Sequence, residues 1–118
     1  MTGTTAYHAG LAAEDIVAND YAKRDHIVAA RRWRGKAGEI DLIARDGDTV
    51  VFVEVKKSRS FATAASRLGR KQMERILASA SEFLAGEPCG QLTDVRFDLA
   101  MVNGLGGLSV IENAFMEM

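Results

Sequence analysis

Two carboxylates and an amine stand at spacings suited to binding a divalent cation. Asp41 lies in Gly38-Glu39-Ile40-Asp41-Leu42-Ile43, and Glu54 and Lys56 lie in Phe52-Val53-Glu54-Val55-Lys56. Both stretches are otherwise apolar. Asp, Glu and Lys are almost never fully buried unless paired, so these groups ask for a compensating partner, and a metal ion is one. Mg²⁺ takes hard oxygen ligands and keeps several waters. Asp41, Glu54, the backbone carbonyl of Val55 and substrate phosphate oxygens would suffice, with Mn²⁺ as a substitute. A metal so held polarises a phosphate and lowers the pKa of a bound water. Lys56 would orient or deprotonate that water, or stabilise charge on the transition state. The chemistry indicated is metal-dependent phosphodiester hydrolysis. The bland reading of the same residues is a surface ion-pair ladder, worth a few tenths of a kcal/mol per pair.

The site needs a β-hairpin. Successive side chains in a strand point to opposite faces. Glu54 and Lys56 therefore share a face with Phe52, and Val51, Val53 and Val55 take the other. In the preceding strand Glu39, Asp41 and Ile43 share one face, and Ile40, Leu42 and Ala44 the other. Arg45-Asp46-Gly47-Asp48-Thr49 is a turn signal. With Gly47-Asp48 central, as in a type II′ turn, Asp41 lies directly opposite Glu54. With Asp46-Gly47 central, as in type I′, Asp41 is offset by two residues on the same face. A three-residue loop without a bulge would separate the two, because a one-residue slip reverses every side chain.

The remaining elements follow from periodicity. Residues 1–8 read as a loose start. Residues 9–23 read as a helix with Leu11, Ala12, Ile16, Val17 and Tyr21 on its apolar side and Glu14 near the edge of that stripe. Residues 26–33 suit a strand, and 39–45 and 49–57 form the hairpin. Residues 58–67, rich in Ser and Ala, read as a mobile loop. A helix covers about 68–85, stopped by Gly86 and Pro88. Strands follow at 94–102 and 108–115, separated by a turn at Asn103-Gly104 and Gly106-Gly107. The order α-β-β-β-α-β-β describes an α/β sandwich around a small mixed β-sheet flanked by helices. Met73 and Phe83 should be core. Arg96 and Asp98 share a strand face and could pair with each other. His26 reads as structural or exposed.

The 118 residues suit one domain spanning 1–118. One cysteine, Cys89, allows no intrachain disulfide and agrees with a reducing, cytoplasmic setting. The two histidines are isolated, so no zinc pattern exists. No apolar run reaches the ~18–20 residues of a membrane helix, and no apolar secretion segment opens the chain. The net charge of −1 argues against a strongly nucleic-acid-binding protein, but its distribution argues otherwise. Windows 23–36 and 56–75 hold 13 of the 15 basic residues and 2 of the 16 acidic ones, and they flank the hairpin. Arg31, Arg32, Arg34, Lys36, Lys57, Arg59, Arg70 and Lys71 are the candidate phosphate contacts. The alternative is two solvated faces. Trp33 among arginines could stack on a base or sit at the core edge.

With these motifs in place, the chain resembles the YraN-like family, predicted endonucleases of the PD-(D/E)XK superfamily similar to Holliday junction resolvases. The similarity extends from Glu14 through Arg32-Trp33-Arg34, the hairpin, Lys71-Gln72 and Arg96-Phe97-Asp98 to Glu112-Asn113-Ala114-Phe115. It implies a restriction-endonuclease-like core. It implies that Asp41 is the first acidic metal ligand and that Glu54 and Lys56 are the (D/E)-x-K pair. It implies that Glu14 completes the metal site and that Gln72 is a further polar catalytic residue. It also implies a DNA substrate, branched or flapped rather than a sequence-specific duplex site, and a homodimer able to make two cuts. Two departures stand out: Arg32 replaces the family's usual Asn, and Lys57 replaces its usual Arg. The rival reading is a non-catalytic nucleic-acid- or partner-binding module that keeps the fold.

Overall fold

A computed structural model describes residues 3–117, with side-chain surroundings over residues 12–115. Eight main elements follow one another: α1 (Gly3–Lys23), β1 (Ile27–Arg34), β2 (Glu39–Asp46), β3 (Thr49–Lys57), α2 (Phe61–Ser66), α3 (Arg70–Leu84), β4 (Val95–Val102) and β5 (Leu108–Ile111). Short 3₁₀ turns occupy Gly90–Leu92 and Ala114–Glu117. The five strands form one sheet in chain order. The β1–β2, β2–β3 and β4–β5 pairs are antiparallel, and β3–β4 is parallel. The parallel step requires a crossover, which α2 and α3 supply. The result is an α/β fold with a mixed sheet between helices.

Each face of the sheet has its own core. Ala13, Val17, Ala18 and Tyr21 of α1 pack on Leu42, Ala44, Val51, Val53, Ala100 and Val102. Ala80, Leu84 and Phe83 of α3 pack on Ile40, Ile43, Val50 and Phe52, with Trp33 and Phe97 at the margin. Ala64 of α2 covers Leu99 and Met101. Trp33 is half-buried, with its ring edge-on to Phe83 at 5.5 Å, so it sits at the core edge.

Three expectations are corrected. Helix α1 begins at Gly3 rather than residue 9, and its buried stripe runs through Ala13 while Ala12 is exposed. The side chain of Leu11 lies outside the described residues. The segment 58–67 is not a loop throughout. Ser60 caps α2 by accepting the Thr63 N–H at 3.2 Å, and burial of Ala64 fixes the turn. Finally, Ile40 does not join Leu42 and Ala44. It packs with Ile43 and Phe52 on the opposite face, as does its strand partner Trp33. Between the Arg31–Leu42 and Trp33–Ile40 pairs lie Arg32 and Asp41. Arg32 has φ 52°, and this left-handed residue reverses the pleat there.

A buried polar anchor fixes α1 on the sheet. The fully buried Asp98 carboxylate accepts from Tyr21 Oη at 2.6 Å, Arg96 Nε at 2.9 Å, Arg96 Nη2 at 3.0 Å and the Asn113 N–H at 3.1 Å. Arg96 and Asp98 thus do pair. His26 closes the cluster, its Nε2 3.1 Å from Arg96 Nη2. Burial first, and then Asp98, push the Tyr21 hydroxyl far above its ordinary pKa, so it stays a donor. Replacing Tyr21 by Phe removes a donor to a buried charge. The expected loss is about 1.5–3 kcal/mol of unfolding free energy with an unchanged denaturant slope. A Tyr21→Phe protein as stable as wild type in urea titration would remove Asp98 as the anchor.

Candidate metal centre

The β2–β3 register decides which charged groups meet. Asp46 pairs with Thr49, leaving Gly47-Asp48 as a two-residue turn with φ 59° at Gly47. This is the turn with glycine first. The ladder runs back to Leu42–Val53, which places Asp41 opposite Glu54. Beyond that pair the Val55 N–H donates to Asp41 Oδ2 at 2.8 Å. Asp41 therefore caps the end of the ladder with its side chain.

Glu54 is buried on the face covered by α2 and α3 and stands opposite Asp41. Gln72 Nε2, in the first turn of α3, donates to Glu54 Oε1 at 3.2 Å. Lys56 Nζ stands 3.7 Å from the same oxygen. Burial, then the hydrogen bond and charge of Asp41, push the Glu54 carboxyl up to about 8, against the pull of Lys56 and Arg75. Two carboxylates held this close cannot both carry free charge cheaply. A proton relieves the conflict, and so would a divalent cation.

Asp41 also faces a second set. Carboxylate oxygens of Glu14, Glu39 and Asp41 all lie within 4.8 Å of one another. Oxygens bound to one octahedral Mg²⁺ stand up to about 4.2 Å apart, so side-chain shifts on the order of 1 Å would let these groups share an ion. The donors are all hard oxygens, which suits Mg²⁺ or Mn²⁺. Glu14 is held by Arg32, whose Nε donates at 2.8 and 3.1 Å to its two oxygens. Glu39 lies 3.5 Å from Arg34 Nη2.

The structure thus brings Asp41, Glu54, Lys56 and Gln72 into direct contact, and Glu14 to Asp41 from the other helix. The Val55 contribution it displays is the amide N–H donated to Asp41. Two residues escaped the sequence reading. Glu39 is signalled only by its i, i+2 spacing from Asp41. Arg75, whose charge reaches Glu54, lies one turn after Gln72.

The basic residues divide into two groups. Arg31, Arg32 and Arg34 of β1 are engaged by Asp15, Glu14 and Glu39. Lys36 is exposed, and its backbone N–H donates to Glu82. Lys57, Arg59, Arg70 and Lys71 are exposed and form no ion pair among the described residues. Uncompensated positive charge therefore gathers around α2 and the start of α3, on the Glu54 side.

The model of the "Uncharacterised protein family UPF0102" matches residues 13–102. A UPF0102 protein of Cereibacter sphaeroides is 63% identical over 115 residues, covering 98% of each chain. One from Ruegeria pomeroyi is 60% identical over 96% of this chain and 92% of its own. One from Roseobacter denitrificans is 51% identical over 98% of this chain and 89% of its own. This chain belongs to UPF0102, the YraN-like family. The matched span contains every charged group of the UPF0102 site described above, from Glu14 to Arg75. No helix among the described residues is long and apolar enough to cross a membrane.

The raised Glu54 carboxyl makes a pH-dependent prediction. Its ordinary value is 4.5, and in the fold it is about 8. Protonation favours the folded state, so this stabilisation is full below about 4.5 and is lost as pH rises through about 8. Glu54→Gln mimics the protonated form at every pH. Without divalent ions, its melting temperature should exceed that of wild type by several degrees at pH 9 and by much less at pH 5. Melting curves whose difference does not change over that range would contradict the raised Glu54 carboxyl.

Proposed function

We propose that this UPF0102 protein is a metal-dependent endodeoxyribonuclease that hydrolyses phosphodiester bonds with Mg²⁺ or Mn²⁺. The observation carrying this reading is the contact set at the hairpin end. Asp41 is fixed by the Val55 N–H and set opposite Glu54 by the strand register, and Lys56 stands 3.7 Å from Glu54.

Asp41, Glu54, the Val55 carbonyl and Glu14 would hold the cation. When bound, it would supply Lewis-acid activation of the phosphate and of a water. The protein's own groups do the positioning. Gln72 holds Glu54 in place, and Asp41 is locked by a backbone amide, so the ligand geometry is set before substrate arrives. Lys56 is the donor to the attacking water or to a non-bridging phosphate oxygen. The water gives up one proton to solvent as its oxygen bonds to phosphorus, the ester bond to the leaving sugar oxygen breaks, and that oxygen takes up a proton from solvent. Lys57, Arg59, Arg70 and Lys71 guide the DNA backbone. Branched or flapped DNA is the favoured substrate by analogy with resolvases, with a second copy of the chain to make the second cut. The cytoplasm is the favoured setting, which the single cysteine fits.

One observation favours a second reading, that of a DNA-binding module without turnover. The Arg32 guanidinium occupies the Glu14 carboxylate. Incubating single-stranded, flapped, nicked and four-way DNA with Mg²⁺, Mn²⁺ or chelator separates the two readings. Cleavage should need the metal. Asp41→Asn and Lys56→Ala should each lower it by at least about a hundredfold, with melting within a few degrees of wild type. Full cleavage by either variant would sink the nuclease assignment. Tight binding of a junction with no Mn²⁺ affinity and no cleavage would establish the binding module.

A further inference from the structure

Two of the three carboxylates whose oxygens lie within 4.8 Å of one another, Glu14 and Glu39, are held by arginines of one edge strand. Arg32 takes Glu14, and Arg34 approaches Glu39. The Arg32 contact is built at some expense. Its backbone adopts φ 52°, a conformation rare for residues other than glycine, asparagine and aspartate. The pair is also asymmetric. The Glu14 side chain is 11% exposed and that of Arg32 is 38% exposed, so the carboxylate is inside and the guanidinium stands at the mouth. By contrast, the neighbouring Arg31–Asp15 pair is exposed on both sides. A cation approaching Glu14 must displace the guanidinium or tolerate its like charge. A phosphodiester approaching from solvent meets the guanidinium first and offers it a charge-assisted pair.

We propose that Arg32 is a substrate-responsive positioning residue that withholds Glu14 from the metal until a phosphodiester draws its guanidinium away. The proposal rests on the metal-dependent reading given above. It makes metal and phosphodiester binding cooperative through one side chain. Each ligand then raises the affinity for the other by the same factor. In the absence of substrate, the competent form of Glu14 is a minority, and the apparent metal affinity is reduced by that fraction.

The test measures Mn²⁺ binding to the full chain by calorimetry, a readout independent of cleavage. Arg32→Asn keeps a residue tolerant of left-handed backbone and removes the guanidinium. It should bind Mn²⁺ about tenfold more tightly than wild type, within the usual range of coupling between sites. A phosphorothioate-linked oligonucleotide that resists hydrolysis should tighten Mn²⁺ binding to wild type by a larger factor than to the variant, where only direct phosphate–metal contact couples the two ligands. Arg32→Gly, which also accepts φ 52°, serves as a second variant. The Mn²⁺-induced rise in melting temperature checks both should either be poorly stable, since a tighter ligand raises it more. Equal or weaker Mn²⁺ binding by both variants would overturn the gate. If Asp41→Asn then loses Mn²⁺ binding, the metal site stands without the gate. If Asp41→Asn binds Mn²⁺ as wild type does, the metal site and the gate fall together.

Discussion

The register of the β2–β3 hairpin governs the rest of the site. Gly47 at φ 59° lets a two-residue turn join Asp46 to Thr49, and that pairing sets Asp41 against Glu54 five residues further along each strand. A slip of one residue would send Asp41 to the opposite face and bury an apolar side chain beside Glu54. The correct register is enforced by the apolar residues between, because Ile43 and Phe52 fill one core while Leu42 and Val53 fill the other. The same packing that stabilises the hairpin therefore buries Glu54 and sets it against Asp41, and burial first, then Asp41, raises the Glu54 carboxyl. The strands are stable despite the site rather than because of it.

Bringing Glu14 to that point needs a second constraint, since α1 lies on the opposite side of the sheet from α3. The Asp98 anchor supplies it. Tyr21 and Glu14 are seven residues apart on α1, about two helical turns, so fixing Tyr21 on Asp98 fixes the phase and height at which Glu14 reaches the sheet end. The pleat reversal at Arg32 and Asp41 completes the arrangement. It moves Ile40 and Trp33 to the α3 core and leaves Asp41 at the crossing point between faces, where it touches Glu54 on one side and nears Glu14 on the other.

How much of this was legible follows from the physics of each signal. The hairpin parity was readable because strand periodicity is two and the Asp46–Asp48 turn allows few loop lengths. The succession of strands along the chain and the α3 helix were readable from apolar spacing. The reversal at Ile40 was not, because it depends on one left-handed residue, and nothing in the type of Arg32 announces φ 52°. Helix α2 was hidden because its Ser and Ala content is also that of loops; its evidence is the Ser60 cap and the burial of Ala64, both tertiary facts. The arginines of β1 read as free positive charge, since a linear charge count cannot see Asp15, Glu14 and Glu39 arriving from elsewhere in the fold.

Gly38 shows how the hairpin motif and the site are joined beyond the charged groups. Its φ of 149° favours glycine, and a Cβ there would stand 2.7 Å from Arg75 Cδ. The Gly38 carbonyl meanwhile accepts from Ser79 Oγ at 3.0 Å, which ties the start of β2 to α3. Glycine is thus the residue that lets the Arg75 stem lie against the backbone at the entry to β2. From there the Arg75 charge reaches Glu54 and opposes the effect of Asp41. Lys56 offsets the same carboxylate from its own strand, so one acidic group is balanced from two elements that the fold packs on one face. This balance lowers the cost of ionising Glu54, and so the cost at which its carboxyl would exchange a proton for a divalent cation.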